Sequence, residues 1–159
     1  MTLDELKAKV GQELGVSAWL TITQEQVNTF ADLTGDHQYI HVDPPRAAQT
    51  PFGGTIVHGY FTLSLLPGLN EQTIGGPGIN LGGRMSVNYG LNRVRFPAPV
   101  PVGTPIRLRT ALKDVEDVNP GQGPDGKPQA VQVTLTQTIE VQGSEKPAMV
   151  AETLTRVYF

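Results

Sequence analysis

The chain has 159 residues, no cysteine and a net charge of −3. That length fits one domain over residues 1–159 with a core that needs no staples; the missing cysteines exclude disulfides and thiolate metal sites. No Lys/Arg cluster suggests nucleic acid, no apolar run reaches membrane length, and the charged start MTLDELKAKVGQEL lacks the apolar segment of a signal peptide, so the expected address is the cytoplasm.

Leu3, Leu6 and Val10 fall at spacings of three and four and predict a short amphipathic helix ending near Gly11 or Gly15. Val16 to Ile22, with Trp19, Leu20 and Ile22, reads as a short strand or extended segment. Thr23 is an expected N-cap, with Gln26 three residues on completing a capping box and Ile22 and Val27 in the staple positions. Val27, Phe30 and Ala31 continue the apolar face, predicting a helix from Gln24 to about Leu33 that stops at Gly35. Asp43-Pro44 signals another helix start, running through Ala47 and Ala48 until residues 50–54 break it. From Ile56 to Leu66 the chain is apolar nearly all round, which predicts a buried helix. Pro67-Gly68 and the glycine-rich stretch to Gly83 read as turns.

The second half alternates. Met85, Val87, Tyr89 and Leu91 share one parity, while Val94 and Phe96 share the other. That change predicts one long strand with a bulge near Gly90 to Arg93. Ile106 to Leu112, Val131 to Val141 and Met149 to Phe159 follow as further strands, with a loop at 119–128. Helices first and long antiparallel strands afterwards make an α+β chain. Its economical packing is a curved antiparallel sheet wrapped around the central apolar helix, which is the hotdog fold. The strand order does not follow from periodicity.

All three histidines lie between Ala31 and Tyr60. Asp36 and His41, five residues apart in a segment expected to be a loop, offer a carboxylate and an imidazole that can share one water for general acid–base work. Spacing alone favours the plainer alternative, in which Asp36 caps a local turn and His41 is a satisfied, partly buried side chain. His37 and His41 have the spacing of a helical zinc pair, but Gln38 stands where a metalloprotease carries Glu, and a third ligand would have to be Asp36 or His58. His58-Gly59 opens the apolar helix. Its free amides suit a developing oxyanion, although on these residues alone close packing of the glycine is the favoured explanation, and His58 could simply bond backbone at the helix start. Ser64 has no nucleophile-elbow context. Arg93, Arg95, Arg107 and Arg109 could meet phosphates at a pocket mouth, but strand arginines are mostly solvated.

Together these residues resemble the MaoC-like hydratase family, the (R)-specific enoyl-CoA hydratases and 3-hydroxyacyl-thioester dehydratases. The family signature Gly-Asp-x-Asn-Pro-(Leu/Ile)-His-x-Asp stands here as Gly35-Asp36-His37-Gln38-Tyr39-Ile40-His41-Val42-Asp43. Ala47-Ala48, Ile56-Val57-His58-Gly59, Asn88-Tyr89-Gly90 and Arg95-Phe96-Pro97 to Gly103 are also similar to it. Gln38 and Tyr39 depart from the family's Asn and Pro. The resemblance implies that Asp36 and His41 activate one water for addition across the C2=C3 bond of a trans-2-enoyl thioester. The Gly59 amide would hold the thioester oxygen, and Phe52, Tyr60 or Phe61 would wall the acyl chain. It also implies a homodimer, no metal or redox cofactor, and coenzyme A or acyl carrier protein only as part of the substrate. A hotdog acyl-CoA thioesterase and a non-catalytic acyl-thioester-binding subunit are the alternative readings.

Overall fold

A computed structural model describes residues 1–76 and 79–159. Helix α1 spans Leu3–Lys7, with Thr2 and Glu5 forming a reciprocal capping box. It buries Leu6 and ends before Val10, which stays exposed. The expected strand at 16–22 splits into β1 (Glu13–Val16) and β2 (Leu20–Thr21). Ser17 causes the break. Its amide donates to the Leu108 carbonyl and its hydroxyl accepts from the Leu108 amide, so the ladder is closed on one residue. Ala18 then turns away to the Gln72 side chain.

Helix α2 (Gln24–Thr34) forms where the sequence expects it. The Gln26 amide donates to Thr23 Oγ1 at 3.2 Å and the Thr23 amide to Gln26 Oε1 at 2.9 Å. Such a cap stabilises a helix by about 1 kcal/mol. Gly35 ends it in the left-handed region at φ 80°, a conformation that disfavours any side chain.

The apolar helix is displaced from its expected place. Ile56 is extended, bridging Pro101, and Val57 donates to the Val100 carbonyl, so helix begins only at Gly59. It comprises α5 (Gly59–Ser64) and α6 (Leu66–Ile74), joined through Leu65. Pro67-Gly68 therefore lies inside helix rather than in a turn. Pro67 has no amide for the Leu63 carbonyl, and the chain tightens just before it, where Leu65 donates to Thr62. The helix is also not buried all round: Thr62, Leu66, Leu69, Asn70 and Thr73 face inward, whereas Tyr60 is 73% exposed. Gly75 closes α6 in the left-handed region; residues 77–78 of the expected glycine-rich turn lie outside the described residues.

Long strands follow: β3 (Met85–Arg95), β4 (Pro105–Val118), β5 (Ala130–Val141) and β6 (Met149–Tyr158). Among the described residues they form an antiparallel six-stranded sheet in the order β1-β4-β5-β6-β3, with β2 also on β4. β3 shifts register between Leu91 and Arg93, where a bulge is expected, and also between Asn88 and Gly90, where none is. Leu66 and Leu69 pack on Ile106, Leu108, Ile139 and Met149 in one core cluster, while Leu6 joins Leu112, Val131, Val133 and Leu135 in a second. This sheet over a helix is the hotdog architecture. β3 is the exception to burial: an edge strand with Met85, Val87, Tyr89 and Leu91 all exposed.

Candidate active site

Asp36 leaves α2 just after Gly35, and its Oδ1 accepts from the Gln38 amide at 3.3 Å. That bond is the local turn the plainer reading expects of it. The segment to Asp43 is more regular than a loop: Tyr39–Val42 makes a single helical turn, α3, and Pro44–Ala47 makes another, α4. Asp43 caps the second, accepting from the Arg46 amide at 3.1 Å.

His41 rides on α3 and is buried. Its Nδ1 lies 2.6 Å from the Ile56 carbonyl, which can only accept, so Nδ1 carries a proton and, in the neutral ring, Nε2 is the nitrogen that offers a lone pair. Ile56 is held by its bridge to Pro101 and by donating to the Ile40 carbonyl. The main chain of His41 is held too. Gln24 Nε2 donates to its carbonyl at 2.7 Å, and Gln24 Oε1 accepts from Thr55 at 2.5 Å. Nothing in the sequence pattern singles out Gln24, which has the spacing of an ordinary first-turn residue.

His58 is 2% exposed and stacks on His41, with ring centres 3.9 Å apart and planes at 26°. Its Nε2 donates to the main-chain carbonyl of Asp36 at 3.0 Å. A bond from His58 to backbone is therefore present, but it reaches across to Asp36 rather than staying at the helix start. Burial pushes the His58 imidazole below its usual pKa. His37, by contrast, points away: its ring meets Asp32 at 2.8 Å, and that exposed contact raises its pKa. The structure thus separates the His37–His41 pair considered as metal ligands.

Asp36, His41 and His58 each offer a polar atom within 4.8 Å of the others. Zinc does not suit the two histidines. A nitrogen 2.0–2.1 Å from the ion puts its ring centre roughly 3.2 Å away, so a tetrahedral pair holds ring centres roughly 5 Å apart. The stacked rings here are closer than that. A shared water fits better, since one molecule about 2.8 Å from each of two atoms spans separations up to about 5.5 Å.

His41 and Gly59 line one cleft of about 260 Å³ whose other walls are chiefly apolar, including Phe52, Ile56, Phe96 and Val100. Asp36 is exposed and does not line it. Of the three aromatic walls expected, Phe52 is one; Phe61 instead stacks on Phe30 at 4.7 Å, and Tyr60 points outward. Phe96, not anticipated as a wall, lies so close to Gly59 that a methyl group there would sit 3.1 Å from its ring. The first helical bond of α5 runs from Thr62 to His58, so the amides of residues 59–61 precede any helical acceptor.

Other candidates fall away from this site. Arg107 and Arg109 both pair with Glu140, at 2.6 and 3.1 Å, and Arg109 also pairs with Glu13, forming an ion-pair row on the sheet rather than a phosphate site. Arg95 donates to the Val94 carbonyl. Ser64 donates to the Phe61 carbonyl, an ordinary helical back-bond.

Residues 5–138 match the model of the MaoC like domain. The 3-hydroxyacyl-thioester dehydratase Z of Mycobacterium tuberculosis is 53% identical over 152 residues, covering 96% of this chain and 93% of that protein. The (R)-specific enoyl-CoA hydratase of Aeromonas caviae is 34% identical over 112 residues, covering 68% of this chain and 71% of its own. The solved structure of the (R)-hydratase from A. caviae superposes with a TM-score of 0.68 at 28% identity, over 92% of this chain and 98% of that one. With that agreement of sequence and fold, the chain belongs to the MaoC-like dehydratase and hydratase family and is a hydro-lyase.

Proposed function

We propose that this chain reversibly hydrates trans-2-enoyl thioesters to (R)-3-hydroxyacyl thioesters. The observation that carries the reading is an Asp36 oxygen and a His41 ring nitrogen within the reach of one water, with the Ile56 bond setting the tautomer in which Nε2 of a neutral His41 can accept a proton. The names of the similar dehydratase and hydratase support the substrate class; the stereochemistry follows the same relatives.

In the forward direction the pair holds water against C3. One group takes a proton as the water oxygen bonds to C3, and the π electrons move onto C2 and the thioester carbonyl. The Gly59 amide stabilises the enolate-like oxygen where negative charge develops. A proton from the pair then reaches C2. Atoms balance as one water added, and the reverse sequence removes it. No metal or redox cofactor enters, and coenzyme A or acyl carrier protein belongs to the substrate.

The chain acts as one hotdog domain over residues 1–159 and as a homodimer. The apolar side chains of β3 lie on an unpaired sheet edge, a surface that pairing with a second copy would cover. Among the described residues no helix is long and apolar enough to cross a membrane; a cytoplasmic enzyme on small thioesters, without nucleic-acid or membrane partners, is the reading proposed. Loss of the conjugated-thioester absorbance of crotonyl-CoA tests the reaction. Release of free thiol without that hydration would mark a thioesterase instead, and saturable binding with neither product would mark a non-catalytic subunit. Full activity in both Asp36→Asn and His41→Gln would remove the proposed pair from the mechanism.

A further inference from the structure

Resting on the hydratase reading, we infer that His58 is a positioning residue: a neutral imidazole whose Nε2–H ties the main chain of Asp36 to the ring of His41 and so sets the distance between the two groups. Asp36 needs such a tie. It is exposed, it follows the last helical bond of α2, from Gly35 to Ala31, and among the described residues its carboxylate accepts from the Gln38 amide of its own turn. His41, by contrast, is fixed twice, through its ring by Ile56 and through its carbonyl by Gln24. The bond from His58 to the Asp36 carbonyl joins the less constrained partner to the fixed one.

His58 is itself anchored. Its ring lies against His41 on one contact and Phe30 on another, the latter at 5.0 Å and 52°, and its carbonyl accepts the first helical bond of α5. Its charge state follows from the same geometry. Nδ1 is buried and has no hydrogen-bond partner among the described residues. A second proton would have to sit there, inside protein and without an acceptor, which is costly. The imidazole therefore stays neutral with its hydrogen on Nε2, the tautomer the Asp36 carbonyl requires. The downward push of burial on its pKa agrees. His58 touches neither substrate nor water in this scheme. It acts through Asp36, where a misplacement of about 1 Å costs on the order of 100-fold in rate.

The test compares wild type, His58→Gln and His58→Phe in enoyl-CoA hydration, with melting temperatures beside them. Gln keeps an N–H donor at similar reach, whereas Phe keeps the stacked ring and loses the donor. His58→Phe is expected to lower kcat by about 10- to 100-fold with KM within about threefold, and His58→Gln to recover most of that loss. A folded His58→Phe with wild-type kcat overturns the proposal, as does a Gln variant that folds and is no better than Phe. Should the variants not fold, nitrogen-15 NMR of the wild type decides. A neutral Nε2–H tautomer at pH 7 is the expected result; an Nδ1–H tautomer or an imidazolium overturns it. A wild type that hydrates none of a panel of enoyl-CoA lengths defeats the hydratase reading alone, because the tautomer still reports on the His58 bond.

Discussion

Gly59→Ala separates packing from chemistry at the start of α5. A methyl group at this position would lie 3.1, 3.1 and 3.2 Å from three atoms of the Phe96 ring. Ordinary carbon contacts are about 3.5–4.0 Å, so the ring must retreat by roughly 0.5 Å. Phe96 is 42% exposed and is free to yield. The steric cost is therefore no more than about 1 kcal/mol, and the helical preference of Ala over Gly offsets up to about 1 kcal/mol. The melting temperature should move by less than about 4 °C. Activity should fall much further, because the methyl group enters the cleft beside the amide proposed to meet the thioester oxygen. Misplacing one oxyanion donor costs on the order of 100-fold. The assay is kcat/KM for crotonyl-CoA hydration, run beside thermal melting. The double variant Gly59→Ala/Phe96→Ala, set beside Phe96→Ala alone, assigns the cause: it removes the clash, so its rate should still fall well below that of Phe96→Ala. A Gly59→Ala enzyme with wild-type kcat/KM would refute the oxyanion role, and full recovery of rate in the double variant would show that Phe96 displacement alone had mattered.

Asp36→Asn and His41→Gln should each lower kcat for hydration by about 100- to 10,000-fold while leaving the circular dichroism spectrum unchanged, the range expected on losing a general acid–base group. Leu91→Lys places a charge on the exposed apolar edge of β3; on the proposal of a dimer through this edge, light scattering should report a smaller mass than for wild type, and an unchanged mass would argue that β3 is not a contact. The guanidinium groups of Arg107 and Arg109 hold Glu140 below its usual carboxylate pKa of 4.5. The unfolded chain thus binds the proton first on acidification, and the stability from this cluster, present above pH 4.5, is lost as pH falls through the lower folded value. Glu140→Gln should flatten that acid limb in urea titrations, by about 1 kcal/mol or less given the partial exposure. Burial of His58 acts at higher pH. Its folded pKa lies below the usual 6.5, so stability present above pH 6.5 declines as pH falls from there through the folded value. His58→Gln should abolish this slope if the variant folds.

Local signals located most of the elements. The capping box at Thr23 with Gln26, the left-handed stop at Gly35 and the cap at Asp43 each act over a few residues, and the structure has all three where the sequence places them. The parity change in β3 pointed to the bulge between Leu91 and Arg93 but not to the earlier one between Asn88 and Gly90, because a second one-residue shift undoes the flip made by the first. The apolar stretch at 56–66 was less informative. Apolar content cannot distinguish an extended segment from a helix when both are packed, so the extended Ile56-Val57 and the continuation through Pro67 to Ile74 were not legible. The strand split at Ser17 depends on a partner residue 91 positions away.

At the site, sequence determined which chemical groups are available: an acid and a base on either side of a short turn, and a glycine at a helix start. The motif resemblance also pointed to the family to which the chain belongs. Tertiary structure decided how those groups are oriented. The Ile56 carbonyl chooses the His41 tautomer from 15 residues away, Gln24 holds the His41 main chain from 17 away, and His58 reaches Asp36 across 22. Hydrogen bonds to backbone carbonyls leave little trace in residue type, because every residue offers the same acceptor. The candidate acid and base were therefore readable in the chain as residue types, while the hydrogen bonds that orient them emerged only once the chain was folded.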